Sequence, residues 1–189
     1  MNAYEFLNRI GLRGALRRLY RIEVVGADRV PTHGGAILVA NHESIWDPFV
    51  LGVVTGREIH YLAKAELFRY RPLAAALRSL NAFPVERGSG DVAAISEAER
   101  RLQQGQLLGI FPQGTSKPER QHGWHRGAAR LALATGAPVV PVRLAGTRRL
   151  PLPTRIRMTV GEPIEVSIAR PTIAAARSLT AQFEQAVTA

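Results

Sequence analysis

Residues 36–49 read AILVANHESIWDPF. The first half is a continuous apolar run, and β-branched Ile37 and Val39 favour a buried strand. Polar residues follow at once from Asn41, so the chain must leave the sheet there. A helix is expected to begin within or just after NHESIWDPF and to run to about Gly56, with Pro48 tolerated in its first turn. The same alternation extends outward in both directions. Upstream, IEVVG within 22–30 is a short strand candidate, and PTHGG at 31–35 is a turn. Downstream, IHYLAK at 59–64 reads as strand, PLAAALRSL at 72–80 as helix, and NAFPVER at 81–87 as an extended piece. DVAAISEAERRLQQ at 91–104 places Val92, Ile95, Ala98 and Leu102 at helical spacing. LLGIFPQGT at 107–115 is apolar strand and then glycine turn, and RGAARLALATG at 126–136 is a helix stopped by Gly136. PVVPVRLAG at 138–146 and RIRMTVGEPIEV at 155–166 supply further strands, and ARSLTAQFEQAV closes the chain as a helix. Strands alternating with helices predict an α/β fold with a mixed, mostly parallel sheet covered by helices.

Ahead of this region, residues 3–21 (AYEFLNRIGLRGALRRLYR) have the pattern of an N-terminal amphipathic helix. Arg9, Arg13 and Arg17 recur every fourth residue and form a basic stripe. Such a helix could lie in a membrane interface or simply present a solvated face.

The 189 residues, 46% of them hydrophobic, fit one domain over 1–189, with its motifs concentrated in 36–146. The absence of cysteine excludes disulfides, thiolate nucleophiles and thiolate metal sites. A net charge of +10, from 25 Lys and Arg against 15 Asp and Glu, favours an anionic partner. Phosphate substrates, an acidic carrier protein, an acidic lipid surface and nucleic acid all qualify. The last lacks support from any aromatic–basic repeat or helix-turn-helix signature. No basic leader precedes an apolar core, and no stretch of about 18 apolar residues occurs. The expected location is the cytoplasm, or the inner face of the cytoplasmic membrane as a peripheral protein.

His42 emerges directly from the apolar strand, with Asp47 five positions on. Imidazole is the neutral base available near pH 7, and a carboxylate can hold its far nitrogen protonated. A spacing of five does not share a helix face, so the two meet only if the chain turns between them. The alternative is a satisfied loop histidine and a capping aspartate. Asn41, Glu43 and Ser44 flank the pair. Ser44 could cap the helix or act as a nucleophile, but no G-x-S-x-G elbow favours the second role. FPQGTSK at 111–117 offers backbone donors at Gly114, the hydroxyls of Thr115 and Ser116, and the charge of Lys117, suited to a phosphate or a developing oxyanion. In FPVERG, Arg87 could grip two phosphate oxygens or pair with Glu86. Lys64, in AKAELF, could approach anionic substrate or pair with Glu66. His122 and His125 flank Trp124 and more naturally line or cap the cleft than bind zinc, so no metal is expected.

Together these segments resemble the glycerolipid acyltransferase family, which includes the 1-acyl-glycerol-3-phosphate acyltransferases. NHESIWD matches its N-H-x-S-x-x-D block, FPVERG its arginine block, FPQGTSK its F-P-E-G-T-R-S block and VVPVRLAG its final block, with Pro141 on the proline. All four occur in family order. The resemblance implies that His42 and Asp47 form the catalytic pair, that Arg87 binds the acceptor phosphate, and that Gly114 and Thr115 fall on the family glycine and threonine; Lys117, beside the missing arginine, and Lys64 could bring positive charge to the same substrate. It implies an acyl-CoA or acyl carrier protein donor, a lysophosphatidate-like acceptor, direct attack without an acyl-enzyme, and no cofactor. Two positions depart from the pattern: Gln113 stands where the family has glutamate, and Ser116 where it has arginine. They keep two alternatives open: a non-glycerophosphate acceptor such as an ornithine lipid or specialised metabolite, and a catalytically inactive homologue.

Overall fold

The computed structural model describes residues 12–86, 92–117, 119, 123–152 and 154–188. Seven strands form one sheet: β1 (Glu23–Val25), β2 (Ala36–Ala40), β3 (Ile59–Lys64), β4 (Ala82–Val85), β5 (Leu107–Ile110), β6 (Val139–Ala145) and β7 (Arg157–Val160). Their order across the sheet is β1-β7-β6-β2-β5-β3-β4. Every neighbouring pair is parallel except β6 and β7. The expected mixed, mostly parallel sheet is therefore present, with β2 at its centre.

Alternation along β2 explains why the sheet is covered on both sides. Ala36, Leu38 and Ala40 enter one apolar layer, while Ile37 and Val39 enter the other, and all five are fully buried. On the Ile37 side lie α4 (Val92–Gln103), α5 (Gly127–Thr135) and α6 (Ile173–Thr188), contributing Ala98, Leu102, Leu131, Leu179 and Phe183. Opposite them, α2 (Asp47–Leu51) supplies Val50 and Leu51, and α3 (Arg71–Ser79) packs through Leu77. The α5 helix ends at Gly136 with φ of 70°, the left-handed stop predicted from the sequence.

Two expectations are modified. The helix expected to reach Gly56 ends at Leu51. The Val53 and Val54 amides instead close short turns onto Val50 and Leu51, both at 3.0 Å, and both valines are buried. The β-branched run Val53-Val54-Thr55 resists helix continuation, and its burial rewards the tighter path. The N-terminal amphipathic helix lies partly outside the described residues. Its described part is α1 (Leu12–Leu19), from which Arg17 reaches the Val53 carbonyl at 3.4 Å, so this member of the basic stripe is tied to the domain. No described helix is long and apolar enough to cross a membrane.

Buried His60 on β3 has a consequence for stability. Burial first, and then the Arg101 guanidinium, hold its pKa down at about 4 instead of 6.5. Arg101 directs an N–H at His60 Nδ1 and lies over the Phe83 ring, so the neutral imidazole acts as an acceptor. Between those two pH values only the unfolded chain binds the proton, and stability falls as pH drops from 6.5 toward 4. We expect His60 to account for a loss of about 2 kcal/mol between pH 7 and pH 5. Urea midpoints at both pH values should reveal it, with the drop reduced in His60→Gln.

Candidate active site

The site is assembled where the central strands deliver their C-terminal ends, the usual position for a ligand crevice in an open α/β sheet. β2 ends at Ala40, and the next residue extends the sheet with its side chain. Asn41 Nδ2 donates to the Leu144 carbonyl at 2.9 Å, and the Leu144 amide donates to Asn41 Oδ1 at 2.7 Å. This pair replaces a rung of the β2–β6 ladder and fixes where the chain departs.

His42 follows. Its Nδ1 lies 2.8 Å from Asp47 Oδ2, and the Asp47 side chain is fully buried. The five-residue spacing is bridged by a turn: the Asp47 amide donates to the Ser44 carbonyl at 3.0 Å, and α2 begins there. Asp47 Oδ2 also accepts the amides of Glu43 at 2.6 Å and Ser44 at 2.8 Å. One carboxylate oxygen therefore both holds the imidazole and closes the loop that carries it. Ser44 Oγ accepts the Trp46 amide at 3.3 Å and so acts in the turn rather than as a partner of the histidine.

The second sequence-predicted segment packs directly on the first. Phe111 stacks on the His42 ring, with centroids 4.5 Å apart at 28°. Gln113 Oε1 accepts the His42 backbone amide at 2.5 Å. The side chain that departs from the family glutamate thus supports the His42 main chain, in a role that needs only an oxygen acceptor. Gly114, at φ 73°, turns the loop, and its amide donates to the Phe111 carbonyl at 2.9 Å. Thr115 Oγ1 accepts the Lys117 amide at 3.2 Å. Tyr61 lies beyond Phe111, with ring centroids 6.4 Å apart, and its hydroxyl donates to the Pro48 carbonyl at 2.8 Å. Its ring occupies the space over Gly109, where a Cβ would approach it to 2.4 Å. A glycine inside β5 therefore makes room for the residue that braces α2.

The other predicted positions divide. Lys64, half exposed at the end of β3, donates to Glu66 at 2.5 Å, realising the ion-pair alternative. Arg87 and His122 lie outside the described residues. Trp124 packs against the apolar layer beneath α4, α5 and α6, and the His125 amide donates to the Pro112 carbonyl at 2.9 Å. Among the described residues no group of three or more His, Asp or Glu side chains is placed to hold a metal ion.

Glu43 points to the other side of His42, with its carboxylate 3.8 Å from Arg148. Burial raises its pKa, aided by Asp47 and opposed by Arg148 and Arg143. The supporting roles of Asn41, Phe111, Gln113 and Gly109 were not anticipated. In the sequence FPQGTSK offers only substrate ligands and Asn41 only flanks the pair, so neither carries a signal of these contacts.

Comparison with known proteins gives this geometry a family. The acyltransferase family model matches residues 21–145, well over half of the chain. This chain belongs to the acyltransferase family. A Bacillus subtilis protein named 1-acyl-sn-glycerol-3-phosphate acyltransferase is 31% identical over 147 residues, covering 76% of this acyltransferase and 73% of that relative. A Streptococcus pneumoniae protein of the same name is 30% identical over 146 residues, and the match covers 74% of this chain but only 54% of the relative. In three dimensions the fold is shared with the crystal structure of the 1-acyl-sn-glycerophosphate (LPA) acyltransferase PlsC from Thermotoga maritima. That match has a TM-score of 0.69 at 21% identity and covers 98% of this chain and 90% of the other. The matched span takes in His42, Asp47, Arg87 and the 111–117 loop.

Proposed function

We propose that this acyltransferase moves a fatty acyl group from a thioester, acyl-CoA or acyl carrier protein, to a hydroxyl of lysophosphatidate or a related lysolipid. The observation that carries the reading is the 2.8 Å contact between His42 Nδ1 and buried Asp47, at the strand end of a chain 31% identical to a protein named for that reaction. With Nδ1 held by the carboxylate, Nε2 is the basic nitrogen. It accepts the proton of the acceptor hydroxyl as that oxygen bonds to the thioester carbonyl carbon. Collapse of the tetrahedral adduct breaks the carbon–sulfur bond, and the departing thiolate recovers the proton from the imidazolium. Asp47 orients the ring and stabilises its cationic form. Attack is direct, with no acyl-enzyme.

Arg87, together with Gly114, Thr115, Lys117 and Lys64, forms the acceptor side of the site in this reading. Lys64 can exchange Glu66 for a phosphate, because a surface ion pair contributes little. Arg87→Ala is expected to lower acceptor kcat/KM by about 30- to 100-fold, the value of a charge-assisted fork, with donor KM largely kept. An unchanged acceptor KM and kcat would remove the phosphate role.

Gln113 gives little reason to reassign the acceptor or to regard the protein as inactive, because its oxygen serves the His42 amide. The deciding experiment is a panel of palmitoyl thioesters against lysophosphatidate, a phosphate-free monoacylglycerol and a lyso-ornithine lipid. Transfer preferring lysophosphatidate supports the reading. Transfer only to phosphate-free acceptors overturns the acceptor, and no transfer to any of them overturns the function.

A further inference from the structure

The order of the strands places positive charge on both sides of His42. On the β5–β3 side Lys64 ends β3 and Lys117 lies in the loop after β5, part of the acceptor side of the proposed function. On the β6 side a second cleft of about 480 Å³ opens, lined by Glu43, Gly146, Arg148, Arg149, Thr154 and Arg155. Its size falls within the range of about 300–1,000 Å³ typical of small-molecule sites.

The cleft owes its shape to the antiparallel pairing of β6 with β7. Ala145 at the end of β6 faces Arg157 at the start of β7, so residues entering β7 meet residues leaving β6. Gly146, at φ 91°, permits the contact: a Cβ there would come within 2.3 Å of the Arg155 carbonyl oxygen. The arginines before and after this point are consequently gathered on one rim. Their opposing charge is Glu43, 3.8 Å from Arg148. Among the described residues neither the Arg149 nor the Arg155 guanidinium makes an ion pair or side-chain hydrogen bond, although the Arg149 carbonyl accepts the Leu152 amide at 3.0 Å. Three guanidinium groups facing one carboxylate leave a net positive site suited to a phosphate ester.

We propose that this β6–β7 cleft binds the phosphate of the pantetheine arm of the thioester donor, a group common to CoA and carrier proteins. The assignment rests on the proposed function, which places the acceptor phosphate across His42 on the β5–β3 side. A two-substrate transfer brings two anionic headgroups to one base. Separating them on opposite sides of the ring lets the thioester and the hydroxyl converge without mutual repulsion. Glu43, the residue after His42, forms the inner wall and limits how deeply the phosphate can enter.

The test compares wild type, the double variant Arg149→Gln/Arg155→Gln and Glu43→Gln. The arginines are exposed, so folding should be kept, and melting curves verify it. Binding of 4′-phosphopantetheine and of unphosphorylated pantetheine is measured by calorimetry. Donor and acceptor KM are measured with palmitoyl-CoA and with palmitoyl carrier protein. Wild type should prefer the phosphorylated arm by about tenfold or more, and the double variant should lose that preference. Donor KM should rise about tenfold with either donor while acceptor KM stays unchanged. Glu43→Gln should tighten phosphopantetheine binding. An unaltered preference in the double variant overturns the inference, as does a rise confined to acceptor KM. A rise with CoA alone also overturns it, because it moves the contact to the adenosine phosphates. Arginine-dependent phosphopantetheine binding without any acyl transfer would sink the proposed function and leave the site standing. Acyl transfer with arginine-independent donor binding would do the reverse.

Discussion

His42→Ala is expected to cut acyl transfer by a factor of about a hundred to ten thousand, the usual contribution of a positioned general base, while the protein remains folded. The expectation of a folded variant comes from what the mutation leaves behind. Asp47 Oδ2 keeps the amides of Glu43 and Ser44, and the His42 backbone keeps its bond to Gln113. The loss includes the stacking on Phe111 and the side-chain hydrogen bond to Asp47, together about 1–2 kcal/mol. Steady-state assays with palmitoyl-CoA and lysophosphatidate, paired with thermal melts, provide the check. A variant that melts normally and turns over at the wild-type rate would eliminate His42 as the base.

Asp47 is expected to separate chemistry from folding. In Asp47→Ala the Glu43 and Ser44 amides lose their acceptor inside a part-buried loop, at an expected cost of about 2–4 kcal/mol. Turnover falls as well, because the imidazole loses its orientation. In Asp47→Asn the amide oxygen can still accept both backbone donors, so stability should fall by only about 1 kcal/mol. Activity should nonetheless drop about a thousandfold or more, since a neutral amide cannot balance the imidazolium. Urea unfolding and kcat/KM measured on both variants decide the matter. Equal stability of the alanine and asparagine forms would contradict the closing role of Oδ2, and near-normal turnover in asparagine would contradict the electrostatic one.

Much of the architecture was legible because it is encoded locally. IHYLAK at 59–64 became β3 without adjustment, and Gly136 stops α5 as its position predicted. The meeting of His42 with Asp47 was conditional on a turn, and the turn is present. What could not be read depends on distant pairing. Nothing in VVPVRLAG or RIRMTV states that β7 runs against β6, and Asn41 meets Leu144 across 103 positions. Gln113 looked like a lost charge because family patterns suggest substrate ligands, whereas its oxygen serves the main chain. The length of α2 was overestimated because Val53 and Val54 carry two signals, apolar burial and β-branching, and in tight turns both can be met.

The backbone beneath the imidazole is moored at three successive residues to three separate parts of the chain. Asn41 is tied to β6, the His42 amide to the loop after β5, and the Glu43 amide to α2. An imidazole moored in this way has little room to swing, so under the proposed function substrates must travel to it and arrive already aligned. Lengthening the stretch between His42 and Asp47 by even one residue would slip the Glu43 mooring together with the imidazole's own contact to Asp47. Evolution of new acceptors is therefore freer to alter the cleft walls than the spacing at its floor.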